Sequence, residues 1–317
     1  MIASLPAMLA PAAAAGARVG KAPSTGLLAQ TARTYSFAIG DVRITALSDG
    51  TVPADLHQLL LRTTPAQTDA LLKDSYLSNP VEISINEWVF KVGDRVVLID
   101  TGAGRLFGPG YGGKLVDSLS AAGFEPHDVT DILLTHIHTD HSGGLMRGDE
   151  RLFTNATVHV GKPDVTFFLD RSNAAKARYD MKYFDEAIHT VKPYVDAGRV
   201  NAFDRTTTIL PGLSASLHPG HTPGSAFFTL TSQSETILFV GDVIHVAAVQ
   251  FPDPGVAIVY DVNPAAAVAV RRQAFPQFVR DRTLIAVPHM PFPGVGHVRS
   301  VGAGFEWVPL EYVNRAK

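Results

Sequence analysis

The densest chemistry in the chain lies in Thr135-His136-Ile137-His138-Thr139-Asp140-His141-Ser142-Gly143-Gly144. On an extended backbone His136 and His138 stand two residues apart and point to one side, and Asp140 and His141 follow on a turn. Gly143-Gly144 lets the backbone fold back closely behind them. Four candidate metal ligands within six residues exceed what a packed core or a solvated loop needs. Imidazole and carboxylate together suit Zn, Fe, Mn or Co. The chain has no cysteine, which excludes a thiol nucleophile, a disulfide scaffold and any thiolate-held metal. It also shows no Gly-x-Ser-x-Gly elbow for a covalent serine mechanism.

These residues need a scaffold, and the surrounding pattern predicts one. The apolar run Ile132-Leu133-Leu134 leads straight into Thr135-His136. Three other runs end the same way: Val96-Val97-Leu98-Ile99 at Asp100-Thr101-Gly102, Ile237-Leu238-Phe239-Val240 at Gly241-Asp242, and Leu284-Ile285-Ala286-Val287 at Pro288-His289. Strands that deliver His or Asp at their C-terminal ends are the usual site builders of α/β sheets. The spacing predicts helices over 114–122, over the aromatic-rich stretch 164–197, and over 264–280 with Asn263 as N-cap. Thr64-Pro65 predicts a capped helix start, and Trp88-Val89-Phe90 with Val96-Val97-Leu98-Ile99 predicts a hairpin around Gly93-Asp94. Val42-Arg43-Ile44-Thr45-Ala46-Leu47 reads as a strand that ends in a turn at Ser48-Asp49-Gly50. The sum is an α/β layered single domain over 35–317, built from two similar halves.

Residues 1–34 read as an Ala/Pro-rich arm or the remnant of a leader, which points to a periplasmic or secreted protein, with the cytoplasm as alternative. The 317 residues carry 27 Lys+Arg against 30 Asp+Glu, a net charge of −3, with 46% apolar residues. That balance describes a globular protein and opposes partnership with nucleic acid or an anionic membrane. Nothing in the sequence approaches a membrane-spanning run.

With His-x-His-x-Asp-His at 136–141 stand Asp100-Thr101-Gly102, His218-Pro219-Gly220-His221-Thr222-Pro223-Gly224, Gly241-Asp242 and His289, in that order along most of the chain. This set resembles the metallo-β-lactamase superfamily. The resemblance implies an αββα sandwich, two mixed β-sheets with helices outside and a metal site at one edge. It places His136, His138 and His221 on one metal, and Asp140, His141 and His289 on a second, with Asp242 bridging. The implied cofactors are two divalent transition-metal ions, Zn foremost, and Asp100 is read as support for the ligands. The remaining histidines, His57, His127, His159, His189, His218 and His297, are read as surface or structural.

A narrower resemblance joins the chain to methyl parathion hydrolases and their lactone- and aryl-ester-hydrolysing relatives. It is carried by Leu47-Ser48-Asp49-Gly50-Thr51-Val52, Leu106-Phe107-Gly108-Pro109, Val246-Ala247-Ala248-Val249-Gln250-Phe251 and His289-Met290-Pro291-Phe292-Pro293-Gly294. Two departures stand out: Ser225 follows His-Thr-Pro-Gly where many relatives have His, and His245 replaces an apolar residue or a Tyr. A His at 245 can donate to a carbonyl or alkoxide oxygen, so Asp242, His245 and Asp140 are the candidate catalytic residues. Phe107, Phe168, Tyr183, Phe184 and His245 are the candidate substrate contacts, with the segment around 167–184 as a lid, and Phe251 and Phe292 also lie near site strands in sequence. The expected reaction is hydrolysis of a small apolar or aromatic lactone or ester, with phosphotriester cleavage as a second capability, in a homodimer. The rival readings are a dedicated organophosphate triester hydrolase and a di-iron redox protein on the same fold.

Overall fold

The computed structural model describes residues 33–315, so the arm expected at 1–34 lies, except for its last two residues, outside the described residues. Two seven-stranded sheets face each other, each following chain order. The first contains β1 (Thr34–Ile39), β2 (Val42–Ala54), β3 (Val81–Val92), β4 (Arg95–Ile99), β5 (Asp131–Leu133), β6 (Thr157–Gly161) and β7 (Val200–Phe203). The second contains β8 (Thr207–Leu210), β9 (Leu213–Leu217), β10 (Ala226–Ser232), β11 (Glu235–Phe239), β12 (Leu284–Ala286), β13 (Val295–Val301) and β14 (Gly304–Pro309). The β4–β5, β5–β6, β6–β7 and β11–β12 pairs are parallel and the rest antiparallel, so both sheets are mixed.

Side-chain alternation assigns the layers. Trp88, Phe90, Val97, Ile99 and Leu133 point from the first sheet into the interior, where Phe228, Leu230, Ile237 and Phe239 of the second sheet meet them. The alternate residues Val89, Val96, Leu98 and Ile132 face outward, under the helices of the first half. On the second sheet Phe227 and Ile285 face outward under Phe275 and Phe278 of the last helix. The expected αββα sandwich is therefore what these alternating strands build. Each large side chain fully withdrawn from water contributes about 1.5–3 kcal/mol, so these three apolar layers carry most of the fold.

The helices are α1 (Pro65–Asp74), α2 (Leu115–Ala121), α3 (Thr139–Ser142), α4 (Lys162–Phe168), α5 (Ser172–Ala177), α6 (Met181–Thr190), α7 (Lys192–Asp196) and α8 (Pro264–Arg280), beside single turns. Thr64 caps α1 in a reciprocal box with Gln67, and Asn263 caps α8 through Ala266 N, as their spacing predicts. The stretch 164–197 is not continuous. Arg178 closes α5 in a left-handed conformation at φ 55, Asp180 recaps the chain at Lys182 N, and Pro193 opens α7. A second correction concerns Ser48-Asp49-Gly50. No turn forms there; β2 runs on to Ala54 with a bulge between Ser48 and Gly50. The bulge turns the Asp49 carboxylate inward, where it accepts from the amides of Ala103, Gly113 and Leu115 and fixes the loop after β4.

Candidate metal centre

Four strands of the two sheets stop at one edge, and each stop delivers a polar residue. Beyond β4 stands Asp100, beyond β5 His136 and His138, beyond β11 Asp242, and beyond β12 His289. His141 sits on α3, and His221 on the loop between β9 and β10. His138 Nδ1 lies 3.0 Å from both His136 Nε2 and His221 Nε2, and Asp242 Oδ2 lies 3.5 and 3.3 Å from those two Nε2 atoms. Asp140, His141 and His289 form a second group, with His141 Nε2 3.7 Å from Asp140 Oδ1 and His289 Nε2 3.5 Å from Asp140 Oδ2. Asp242 reaches this group too, at 3.3 Å from His141 Nε2 and 3.1 Å from His289 Nε2. The structure brings all seven expected ligands together, with Asp242 between the two groups.

The far side of each imidazole tests whether a cation fits. His141 Nδ1 donates to Asp100 Oδ2 at 2.8 Å, His221 Nδ1 to Asp261 Oδ1 at 2.8 Å, and His289 Nδ1 to Ser84 O at 2.9 Å. His136 Nδ1 faces Thr135 Oγ1 at 3.1 Å, a hydroxyl whose own proton goes to Asp100. His138 Nε2 faces the Tyr179 hydroxyl at 2.9 Å. Every far nitrogen thus meets an acceptor, so each near nitrogen, when its ring is neutral, turns a lone pair toward its neighbours. Lone pairs turned toward one another at such distances are a ligand set. His141 Nε2 and Asp242 Oδ1 are buried between the groups without a hydrogen bond, atoms that a cation would satisfy.

The electrostatics agree. Burial and the neighbouring imidazoles hold His136 and His138 well below the usual histidine range, in the neutral form a metal requires. Burial pulls on His141, His221 and His289 as well, but the nearby carboxylates outweigh it, raising His141 and His289 and taking His221 to about 9. Burial opposes charge on Asp242, yet His141, His289, His136 and His245 hold its carboxyl well below the usual range. The pocket favours positive charge beside its carboxylates, as a divalent-cation site must.

Asp164, at the start of α4, clasps the two histidine loops together, and no local sequence signal marks it. Its carboxylate accepts from Ile137 N, Thr222 Oγ1 and Gly224 N at 3.0, 2.8 and 2.5 Å. Burial raises its pKa to about 6 against the pull of those bonds. The structural readings of His57, His159 and His218 agree with their contacts: His57 pairs with Asp69, His159 with Asp131, and His218 stacks on Phe227 at 3.8 Å. His127, His189 and His297 are exposed.

A cleft opens onto the cluster, with His138, Asp140, Asp242, His245 and His289 as its floor. Val52, Ala54, Leu59, Ile83 and Phe107 make an apolar wall, and Tyr183 and Tyr260 close one side. Phe107 and Tyr183 thus line the cleft. Phe168 and Phe184 do not: both are fully buried on the outer face of the first sheet, because α4 and α6 turn their most apolar faces to it. Phe251 is fully buried under α8, and Phe292 packs against the core between the sheets. Val52, Ile83 and Tyr260 escaped sequence reading, since an apolar strand end looks the same whether it meets core or cleft. His245 is 4% exposed, stacks on His289 at 5.0 Å, and puts Nε2 3.1 Å from Asp242 Oδ2, with neither ring nitrogen in a hydrogen bond. Burial outweighs the pull of Asp242 and lowers its pKa to about 4, so the ring is neutral at pH 7.

Known proteins share this fold. A solved structure described as the hydrolase AbOPH in the beta-lactamase superfamily superposes with TM-score 0.84 at 34% identity, covering 90% of this chain and 100% of that one. AidC, a dizinc quorum-quenching lactonase solved with the product N-hexanoyl-L-homoserine, superposes with TM-score 0.80 at 27% identity, covering 89% and 98%. The N-acyl homoserine lactonase AiiA of Bacillus thuringiensis subsp. kurstaki is 28% identical over 130 residues, 41% of this chain and 44% of that protein, so the alignment spans under half of that relative. The family model of the metallo-beta-lactamase superfamily matches residues 82–279, well over half of the chain, and takes in six of the seven clustered ligands. On that match and on the whole-chain likeness to AbOPH, the protein belongs to the metallo-beta-lactamase superfamily.

Proposed function

We propose that the protein is a binuclear metallohydrolase of lactones and aryl esters, with phosphotriester cleavage as a secondary capacity and a place near the methyl parathion hydrolases. The observation that carries this reading is the apolar cleft whose floor is the His/Asp cluster itself. Whole-chain likeness to a dizinc lactonase supports the lactone side of it. Two divalent cations held here would supply Lewis acidity, lowering the pKa of water and polarising a carbonyl or phosphoryl oxygen. The chain's residues do the rest. Asp242 turns Oδ2 toward His136, His221 and His289 and Oδ1 toward His141, so one carboxylate touches both groups. Val52, Ile83 and Phe107 take the apolar part of the substrate and exclude water from the reacting carbon. His245 lines the cleft as a neutral ring, and its free N–H is a hydrogen-bond donor for the oxygen on which charge develops.

The test is a panel of lactones, aryl esters and phosphotriesters on protein of measured metal content, repeated with His245→Leu. Removing one donor from the developing oxyanion costs about 1–3 kcal/mol, one to two powers of ten in kcat/KM. A nitrophenolate leaves without such help, so we expect the lactone to phosphotriester ratio to fall in the variant at equal metal loading. Equal losses on both substrates, or none, would make a dedicated phosphotriesterase the better reading. No turnover of any panel member by fully loaded protein would remove the hydrolase reading.

A further inference from the structure

The five clustered histidines do not share one kind of support. Carboxylates hold His141 and His221, a hydroxyl backed by a carboxylate holds His136, and a backbone carbonyl holds His289. His138 alone rests on a phenol, Tyr179, and that phenol belongs to neither sheet. It stands at the joint between α5 and α6, just after the left-handed Arg178 and just before the capping Asp180.

We propose that Tyr179 is a positioning residue for His138, and that through the turn at 258–262 it couples the metal cluster to the wall of the substrate cleft. This rests on the reading that the cluster holds metal. The Tyr179 hydroxyl donates to Tyr260 O at 2.8 Å, so its proton is committed and its lone pair faces His138 Nε2–H. That fixes the tautomer in which His138 Nδ1 points at His136 and His221. The phenol ring lies nearly parallel to the imidazole, at 12° and 6.0 Å, while Phe168 meets it edge-on at 5.5 Å.

The other end of the brace is more telling. Tyr260, which accepts from Tyr179, is followed by Asp261, which accepts from His221 Nδ1. The other oxygen of Asp261 takes Ile258 N at 3.1 Å, and Val262 N returns to His221 O at 2.8 Å. Two of the three histidines of the first group therefore hang on consecutive residues of one turn. The ring of Tyr260 lines the cleft, with Tyr183 of α6 at 6.4 Å across from it. A substrate that shifts Tyr260 or Tyr183 thereby moves the supports of His138 and His221, while the Asp140, His141 and His289 group has its supports on the β-sheet side, at Asp100 and Ser84.

Tyr179→Phe keeps the ring and removes only the hydroxyl. Loss of such an outer hydrogen bond costs roughly 10–100-fold in metal affinity. The experiment is chelator competition on wild-type and Tyr179→Phe protein loaded with Co(II), following the d–d spectrum as each ion leaves. We expect one ion to bind 10–100-fold more weakly with an altered spectrum, the other to be unchanged, and the melting temperature of the metal-free proteins to agree. Equal affinities in both proteins would overturn the proposal, as would parallel weakening of both ions with a lower metal-free melting temperature, the mark of lost packing. Hydrogen exchange on the wild type needs no variant. Metal loading should slow amides at 174–183 and 258–262 together, and unchanged rates in either segment would overturn the coupling. Wild-type protein that takes up no Co(II) would instead defeat the metal reading itself.

Discussion

At the metal edge, five imidazoles keep their far nitrogens on fixed partners and a buried aspartate clasps two of the loops that carry them. The cleft wall beside it has no such network: Val52, Leu59, Ile83 and Phe107 come from separate segments and present only apolar surface. The contrast follows from what each region must do. Ligand geometry has to hold within a fraction of an ångström, so its rotamers are locked from behind. A wall that receives an apolar group needs shape and dryness, which many side chains can supply. Changes at the edge should therefore act on metal and catalysis together, and changes at Val52, Leu59, Ile83 or Phe107 on substrate preference alone.

The largest effect we expect is at the point where both regions meet. Asp242→Ala removes the carboxylate shared by the two groups, and metal content should fall below two ions per chain, with kcat/KM down by about three powers of ten or more. Wild-type metal content in that variant, by elemental analysis, would show that Asp242 does not join the sites.

Phe168 and Phe107 separate core from wall. Phe168 is fully buried, so Phe168→Ala should cost about 3–5 kcal/mol of stability in denaturant unfolding, with KM unchanged in the folded fraction. Phe107→Ala should leave stability nearly unchanged and raise KM for aryl substrates up to about tenfold. The reverse pattern would exchange their assignments.

What the sequence shows clearly follows from the same contrast. His136, His138, Asp140 and His141 are readable because metal ligation demands rare residue types at short spacing. Asp242 and His289 are readable because a buried strand is an unbroken apolar run with a sharp end. Asp49 was not, since Asp-Gly is locally a turn signal and its three amide donors lie more than fifty residues away. Asp164 and Tyr179 were hidden for the same reason. In 164–197 the aromatic pattern marks apolar faces without saying which surface they meet, so it points Phe168 and Phe184 to the cleft as readily as to the core.

The smallest effect concerns a buried carboxylate beside the braced edge whose oxygens find no partner. Glu87 on β3 is fully buried and neither carboxylate oxygen makes a hydrogen bond. Burial first, then Asp49 and Asp100, push its pKa well above the usual carboxylate value, with His141 pulling the other way. A folded-state pKa raised above the unfolded one means the folded chain holds the proton more tightly. That contribution is complete below about pH 4.5 and is lost as pH rises toward the folded value. Glu87→Gln does not titrate, so its stability relative to wild type should increase above pH 4.5 by about 1.4 kcal/mol per pH unit. The amide brings a constant offset of its own, so the slope is what urea unfolding at several pH values must read. Metal-free protein should show the full slope. Two bound cations near Asp140 and His141 would draw the Glu87 proton off more easily, so loading should flatten it. An equal slope with and without metal would place Glu87 outside the field of the cluster. No slope in either form would mean that its carboxylate finds a partner after all and belongs with the braced residues around it.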